Sequence, residues 1–500
     1  MKRHLALTAA VVLLASAQAI AADGLAGKLE QAQALFTARR FSQAETAARQ
    51  VTPATSDSAI LSGAADVIIL CKLSQGDFDG AKHGAEQLKT QIATSSPGNA
   101  VLAYLDSKIA EIDAKRAAYE QTIAALEQTA AAHPNDEIGA DAAYRIAITK
   151  ATWGKTQEAL EAFQRVVDDF GFSERALPAQ LSMGGTCEDS GICDEAEAWY
   201  ERLVQRSPNT PSAAQAVARI KVVRLAQGDT AGAAQRMNEF IAAYPDTEAF
   251  AMAKYCLGEI LLAEGSTDQA KSVFEAVVRE HRSTLGGKAA LPRVVQLWME
   301  EAGSWCRAKR YDDAISKYRQ VVELAPHGAH APEALIEMGH NYGWSGDHKT
   351  PLGLYQRVLR DYPDSPEVIP AHFYVAREYQ SGGHCAEAMQ HALIVAEKDT
   401  DDFRLASSYY RLVGCYFTLQ EYDKARFWAQ KIIDHQDTPQ FTLRKCDAER
   451  AFATSFKFEG RYEEAERLLQ AAAERHRGTP CGARVQHELA RVRAQAQKPE

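Results

Sequence analysis

Nine cysteines and fourteen histidines give this 500-residue chain its most reactive side chains. Cys187 and Cys193 flank the short stretch TCEDSGIC. In an oxidising compartment two thiols this close tend to be joined, and a bridge here would close a short loop for about 2 kcal/mol. Cys187–Cys193 is therefore the expected disulfide, with Cys446–Cys481 the second candidate because both residues hold nearly equivalent places in successive units of a repeat described below. Cys71, Cys256, Cys306, Cys385 and Cys415 lie in or near apolar helical stretches and read as small buried hydrophobes. The odd total leaves at least one thiol unpaired within a monomer.

Of His327, His330, His340 and His348, only His327 and His330 have ligand-like spacing, and they fall in a loop. No metal site is expected. Asp168-Asp169 is a paired carboxylate, but in the last turn of an amphipathic helix it reads as solvated charge rather than an acid/base couple. HExxH, CxxC, GxSxG, a Walker loop and GxGxxG after a strand are all missing. The chain is expected to be neither an enzyme nor a cofactor carrier.

The elements that carry these residues are helices arranged in pairs. From Pro332 to Pro363, Leu335, Met338, Gly339 and Tyr342 recur at i, i+3, i+4 and i+7, which is one helical face. Ser345, Gly346 and Asp347 then supply turn chemistry. Leu352, Tyr355, Val358, Leu359 and Tyr362 form a second stripe that stops at Pro363. Gly339 has a packing role: a side chain there would stand where the second helix crosses closest.

This helix A–turn–helix B unit recurs. A small residue in helix B marks it at Ala159, Ala196, Ala233, Ala270, Ala314, Pro351, Ala388, Ala425 and Ala465. The steps are 37, 37, 37, 44, 37, 37, 37 and 40 residues. Four residues after the marker stands a large side chain (Phe163, Tyr200, Met237, Phe274, Tyr318, Tyr355), giving way to Ala392, Ala429 and Leu469. Twelve after it stand Pro208, Pro245, Pro326 and Pro363. Thr210, Thr247 and Ser365 are placed to cap the next helix A, with Pro211 and Pro366 suited to its first position.

The spacing Leu335, Met338, Gly339, Tyr342, Tyr355 and Pro363, and better still Trp298, Ala302, Trp305, Ala314, Tyr318 and Pro326, resembles the tetratricopeptide repeat (TPR). The resemblance covers roughly residues 135–480. The Tyr-Pro-Asp-Ser/Thr connections are similar to those of envelope TPR proteins such as the lipoprotein of the Bam assembly complex and the Tol–Pal cell-division coordinator. It implies an all-α fold, a TPR-like α-solenoid in which antiparallel helix pairs form a right-handed superhelix.

Residues 1–21 read as a signal peptide: Lys2, Arg3 and His4, then LALTAAVVLLA, then Ala17-Gln18-Ala19, with cleavage after Ala19 or Ala21. Residues 22–97 read as divergent helical repeats around Ala44 and Ala81, and residues 98–133 as a long spacer helix or irregular repeat. Residues 134–480 form the array, and 481–494 a capping helix with Val485, Leu489 and Val492 on one face. The extra residues in the 44-residue step, Ser283 to Ala290, are expected to be a loop or hinge before Pro292 opens the next helix. No later stretch approaches the ~20 apolar residues of a membrane helix, so no transmembrane segment is expected in the mature chain.

A net charge of −10 argues against nucleic acid or anionic lipid as the main partner. The resemblance implies a concave groove lined by helix A. Carried through the marker, the groove positions include Tyr144, Tyr255, Met299, Arg307, Trp344, Phe373, Arg377, Tyr410, Phe417, Arg450 and Lys457. Aromatic and guanidinium groups of this kind suit an extended peptide or a partner helix. The sequence thus points to an exported, periplasmic or secreted, non-catalytic scaffold or adaptor for other envelope proteins or peptides. A cell-wall glycan-binding module associated with a peptidoglycan enzyme is the alternative, and self-association through the end repeats a third reading.

Overall fold

The computed structural model describes residues 24–38 and 40–496; the segment 1–21 read above as a signal peptide lies outside the described residues. Among them are 24 α-helices and no strand. The fold is all-α and TPR-like. The chain divides into two compact units, one ending at Leu291 and the other beginning at Pro292.

In the first unit α1 (Gly24–Thr37) pairs with α2 (Phe41–Val51), and α3 (Ser58–Ser74) with α4 (Phe78–Ser95). A single long helix follows, α5 (Val101–Ala132), then the pairs α6 (Glu137–Trp153)/α7 (Thr156–Asp169), α8 (Ala176–Asp189)/α9 (Cys193–Arg206), α10 (Pro211–Ala226)/α11 (Thr230–Ala243) and α12 (Glu248–Ala263)/α13 (Thr267–Glu280). Helix α14 runs Leu285–Arg307 with Pro292 inside it. The second unit continues with α15 (Tyr311–Leu324), α16 (Ala331–Ser345)/α17 (Thr350–Asp361), α18 (Val368–Ser381)/α19 (Cys385–Lys398), α20 (Asp402–Thr418)/α21 (Tyr422–Ile433), α22 (Pro439–Phe458)/α23 (Tyr462–Arg475) and α24 (Pro480–Ala496).

The two kinds of helix are buried differently. Helix B is amphipathic: α7 buries Ala159, Phe163, Val166 and Val167, and α13 buries Ala270, Phe274, Val277 and Val278, at i, i+4, i+7 and i+8. Helix A is wedged between its own B helix and its neighbours, so α12 buries Ala249, Ala251, Met252, Ala253, Cys256, Gly258 and Ile260 around much of its circumference. Successive A helices also touch one another, as α10 does α12 and α20 does α22; no two B helices pack to that extent. Within each unit the A layer is therefore the more closely drawn together.

Small residues set the A/B crossing. A Cβ on Gly339 would lie 2.5 Å from Tyr355 Cε1, and one on Gly258 the same distance from Phe274 Cε1. Both rings are fully buried. The A-to-B turn supplies a second regularity: residues 76, 154, 191, 228, 265, 309, 346, 383, 420 and 460, each five before a marker, all have positive φ. Eight are glycine; Lys309 (φ 60°) and Gln420 (φ 58°) adopt the same left-handed turn with a side chain.

Four details depart from the sequence reading. First, most of Ser283–Ala290 is no loop: Leu285–Ala290 lengthens α14 at its start, behind a turn at Ser283 and Thr284. Thr284 Oγ1 accepts from Gly287 N–H (3.0 Å), and Glu248 accepts from Leu285 N–H (2.9 Å), so this end is capped. Gly286 serves close packing, since a Cβ there would collide with the Ala251 backbone.

Second, α5 does not separate two segments. Val101, Leu105 and Ile112 join the core of the first repeats, and Tyr119 stacks on Trp153 at 5.6 Å. The turns at Gly76 and Gly154 touch backbone to backbone, with no room for a Cβ on either. Third, Thr210 and Thr247 cap as expected (3.3 and 3.2 Å), but Ser365 accepts from Glu367 N–H (3.1 Å) in a turn, with the helix starting at Val368.

Fourth, the expected Cys187–Cys193 bridge is a correction: both are thiols, and the disulfide joins Cys446 to Cys481, Cα to Cα 6.3 Å, tying α24 to α22. Cys187 is turned into the helix-pair core with its thiol donating to Glu195 (3.9 Å), whereas Cys193 is half-buried at the first residue of α9. Five intervening residues bring two side chains near in sequence without aiming them at each other; the bridged pair is aligned by two packed helices.

Candidate partner-binding face

On α16 and α18 the residues at positions 18, 14, 11 and 7 before the marker are all exposed or half-buried, whereas at the same positions Arg411 of α20 and Met252 and Cys256 of α12 are buried. These positions are i, i+4, i+7 and i+11, one helical face. On α16 the stripe is Glu333, Glu337, His340 and Trp344; on α18 it is Pro370, Tyr374, Arg377 and Ser381. On α20 it is Ser407, Arg411, Gly414 and Thr418.

A continuous row of rings and cations crosses α16 and α18. Trp344 is 57% exposed, its ring 6.0 Å from Tyr311 and 5.7 Å from His340. His340 stands edge-on to Tyr374 at 4.4 Å, with Nδ1 3.5 Å from the Glu337 carboxylate. Tyr374 stacks on Tyr355 at 5.2 Å, and burial raises the pKa of both phenols. The Arg377 guanidinium lies over the Tyr374 ring at 5.0 Å, donates to Glu378 (2.8 and 3.0 Å) and reaches the Tyr355 hydroxyl at 3.4 Å. The flat groups are thus held by one another and present little rotational freedom to lose on contact.

Of the residues read from the sequence, Trp344 and Arg377 fall in this row, and Arg307 is exposed. Phe373 does not: it is 3% exposed, edge-on to Tyr374 (5.1 Å) and Phe403 (5.9 Å). Tyr410 is half-buried beneath the Arg444 guanidinium at 4.9 Å. Tyr144 and Tyr255 lie half-buried against Phe163 and Phe274, at 5.9 and 5.8 Å, and Met299 is also half-buried. These residues share position 15, one residue and about 100° away from the open stripe, so they turn toward neighbouring packing. Phe417 belongs to an aromatic trio with Tyr422 (5.7 Å) and Phe458 (6.2 Å) near the A-to-B turn. Lys457 is buried in an ion pair with Glu488 of α24 at 2.7 Å. Tyr374 and Arg411 were missed by that one-residue offset, and His340 was passed over although it holds the place in α16 that Arg377 holds in α18; the i, i+4, i+7 alignment of positions 18, 14 and 11 was the signal that finds them.

The remaining chemical candidates stay apart. Among the described residues no group of three or more His, Cys, Asp or Glu could hold a metal ion. His330 hydrogen-bonds Glu333 at 3.0 Å, and Asp168 accepts from Gln164 at 2.9 Å on the surface of α7. His372 and His391 face each other, Nδ1 to Nδ1 at 2.7 Å, between α18 and α19. Burial lowers the pKa of both, that of His372 to about 4, with the His391 and Lys398 charges adding to it.

Residues 135–299 match the tetratricopeptide repeat-like domain family. No curated protein matches the chain. Solved structures similar to it include the MamA protein (18% identity over 36% of this chain and 90% of that one, TM-score 0.31). Another is the C-terminal part of a TPR repeat-containing protein from Cytophaga hutchinsonii (14%, 53% and 98%, TM-score 0.34). A third is the PilF protein of Pseudomonas aeruginosa (12%, 47% and 97%, TM-score 0.30).

Proposed function

We propose that this chain is an exported, non-catalytic scaffold that binds an extended segment of another envelope protein along the open stripe of its A helices, centred on α16 and α18. TPR repeats in general mediate protein–protein interactions. The observation that carries the reading is Trp344, a large aromatic side chain 57% exposed at the end of a pre-ordered row of rings and guanidinium. Tryptophan and arginine on such a surface are the residue types that anchor protein contacts. Export rests on the charged, apolar and small-residue order of residues 2–19.

Crosslinking in envelope extract identifies the partner, and affinities are then compared across variants. Trp344→Ala and Arg377→Ala are expected to weaken binding by more than ~2 kcal/mol, about thirtyfold, while Arg357→Ala and Arg360→Ala on helix B change it little. Weakening by the helix B variants alone would move the contact to the other layer. Sequencing the N-terminus of the exported protein tests the cleavage; a retained Met1 in the cytoplasmic fraction would remove the envelope from the reading.

A further inference from the structure

Several arginines in the second unit are paired with carboxylates. Arg404 pairs with Asp399 at 2.6 Å, Arg426 with Glu459 at 2.9 Å, Arg450 and Arg484 with Asp447 at 3.4 and 2.9 Å. Arg411 has none. Among the described residues it is the one arginine that is buried, 8% exposed. Its Nη1 donates to the neutral amide oxygen of Gln380 (2.6 Å), its guanidinium lies 5.6 Å from the Phe373 ring, and its Nε has no partner.

The surroundings deepen the imbalance. Arg377 and Arg444 both act on Arg411 as like charges; of the groups of opposite sign, the buried Cys415 thiol has its pKa pushed up to about 12 and stays neutral, and Glu378 is already held by Arg377 at 2.8 Å. Burial pushes the Arg411 pKa down to about 10, so the guanidinium stays charged at neutral pH. A buried cation without a counter-ion is unfavourable, and its planar fork matches a carboxylate in both geometry and charge.

The position adjoins the candidate face: Arg411 lies against Phe373 and Gln380 of α18, the helix that carries Tyr374 and Arg377. Arg411 lies on the same helical face of α20 as the half-buried Gly414, which bears no side chain; a Cβ there would meet only Gln380 Nε2, at 3.3 Å. The half-buried Gln380 amide oxygen accepts from Nη1 of the fork, and an amide can swing aside.

We propose that Arg411 receives a single Asp or Glu side chain from the protein segment that docks on the A-helix row. The proposal rests on the partner-binding reading above. A polyanion such as nucleic acid fits poorly, because Glu333, Glu337 and Asp447 occupy the same stripe on adjacent helices and the chain carries a net charge of −10. A lone carboxylate flanked by apolar residues, which settle on Trp344 and Tyr374, meets both requirements.

The test uses the full chain and two twelve-residue peptides, one alternating Glu with Phe and Leu, its twin carrying Gln for every Glu. Wild type is expected to bind the Glu peptide at least tenfold more tightly than its twin, and Arg411→Met to abolish that preference. Because it removes a buried unpaired charge, Arg411→Met is also expected to melt higher than wild type. A lower melting temperature, a preference that survives the substitution, or no binding of the Glu peptide at millimolar concentration overturns the proposal. Inorganic phosphate raising the melting temperature of wild type but not of Arg411→Met would reassign the site to small anions and overturn it as well. If Trp344→Ala weakens both peptides equally while Arg411→Met does nothing, this proposal fails and the A-helix face stands; if neither variant affects bound peptide, the face itself is wrong.

Discussion

Gly339→Ala sets the geometry of the helix crossing against intrinsic helix propensity. A methyl group at 339 would sit 2.5, 2.6 and 2.8 Å from Cε1, Cζ and the hydroxyl oxygen of Tyr355. Ordinary contact begins near 3.4 Å, so ring or helix must give by almost 1 Å. The ring cannot retreat freely: it is fully buried, stacked on Tyr374 at 5.2 Å and tilted against His340 at 6.0 Å. Forced insertion into a packed core costs about 1–3 kcal/mol, and replacing a helical glycine by alanine returns up to ~1 kcal/mol. The net expectation is a loss of ~1–2 kcal/mol. Gly343, one turn later in the same helix, and Gly353 in α17 have nothing within 4 Å of a built Cβ, so alanine there should gain up to ~1 kcal/mol. Thermal and urea melts of the three variants provide the comparison, at about 2–4 °C per kcal/mol for a unit of this size. Gly339→Ala made in a Tyr355→Leu background should lose its penalty, since the obstructing ring atoms are gone. Refutation would be Gly339→Ala melting as high as Gly343→Ala, or an unchanged penalty in the Tyr355→Leu background.

Lys309→Gly and Gln420→Gly should each stabilise by up to ~1 kcal/mol by relieving a left-handed backbone, while Gly265→Ala costs a similar amount; equal melting temperatures would count against it. Lys457→Met should destabilise by ~1–3 kcal/mol because it takes the closer of two cations from the buried Glu488 carboxylate and leaves only Arg491 at 3.3 Å, and Lys457→Met with Glu488→Leu should recover most of that. A double variant no better than the single one would show that the pair is not the source. Reducing Cys446–Cys481, which closes a loop of 35 residues, should cost ~3–4 kcal/mol, and non-reducing peptide mapping should find this bridge and free Cys187 and Cys193. For His372, the fold favours the neutral imidazole, so its contribution is present above pH 6.5 and is lost as pH falls from 6.5 through about 4. At about 1.4 kcal/mol per pH unit, discounted by about half for partial contact with solvent, ~1–2 kcal/mol is at stake. His372→Gln should therefore melt with a shallower acid limb than wild type; identical limbs would refute it.

Much of the architecture was legible in the chain itself. The 37-residue recurrence of Ala159, Ala196, Ala233 and Ala270 with Phe163, Tyr200, Met237 and Phe274 four residues on is a local pattern, and helix formation answers to local patterns. Gly339 could be assigned to a close crossing for the same reason: its neighbours at i±3 and i±4 mark it as inward-facing. The capping of α10 and α12 by Thr210 and Thr247 likewise needs only residues three positions apart.

What the tertiary structure decided involves residues brought together by packing rather than by sequence. Which thiols meet depends on the alignment of α22 with α24, so Cys446 and Cys481 bond across 35 residues while Cys187 and Cys193 remain apart. Leu285–Ala290 becomes helix because Glu248, 37 residues before Leu285, accepts from its N–H and the Ala251 backbone lies against Gly286. The open stripe of helix A is set by where its neighbours cover it, which turned Phe373 and Tyr410 inward and left Trp344 and Arg377 outside. Arg411 shows the same dependence: its residue type promises an ion pair, and only the packing of α18, α20 and α22 determines that no carboxylate among the described residues pairs with it.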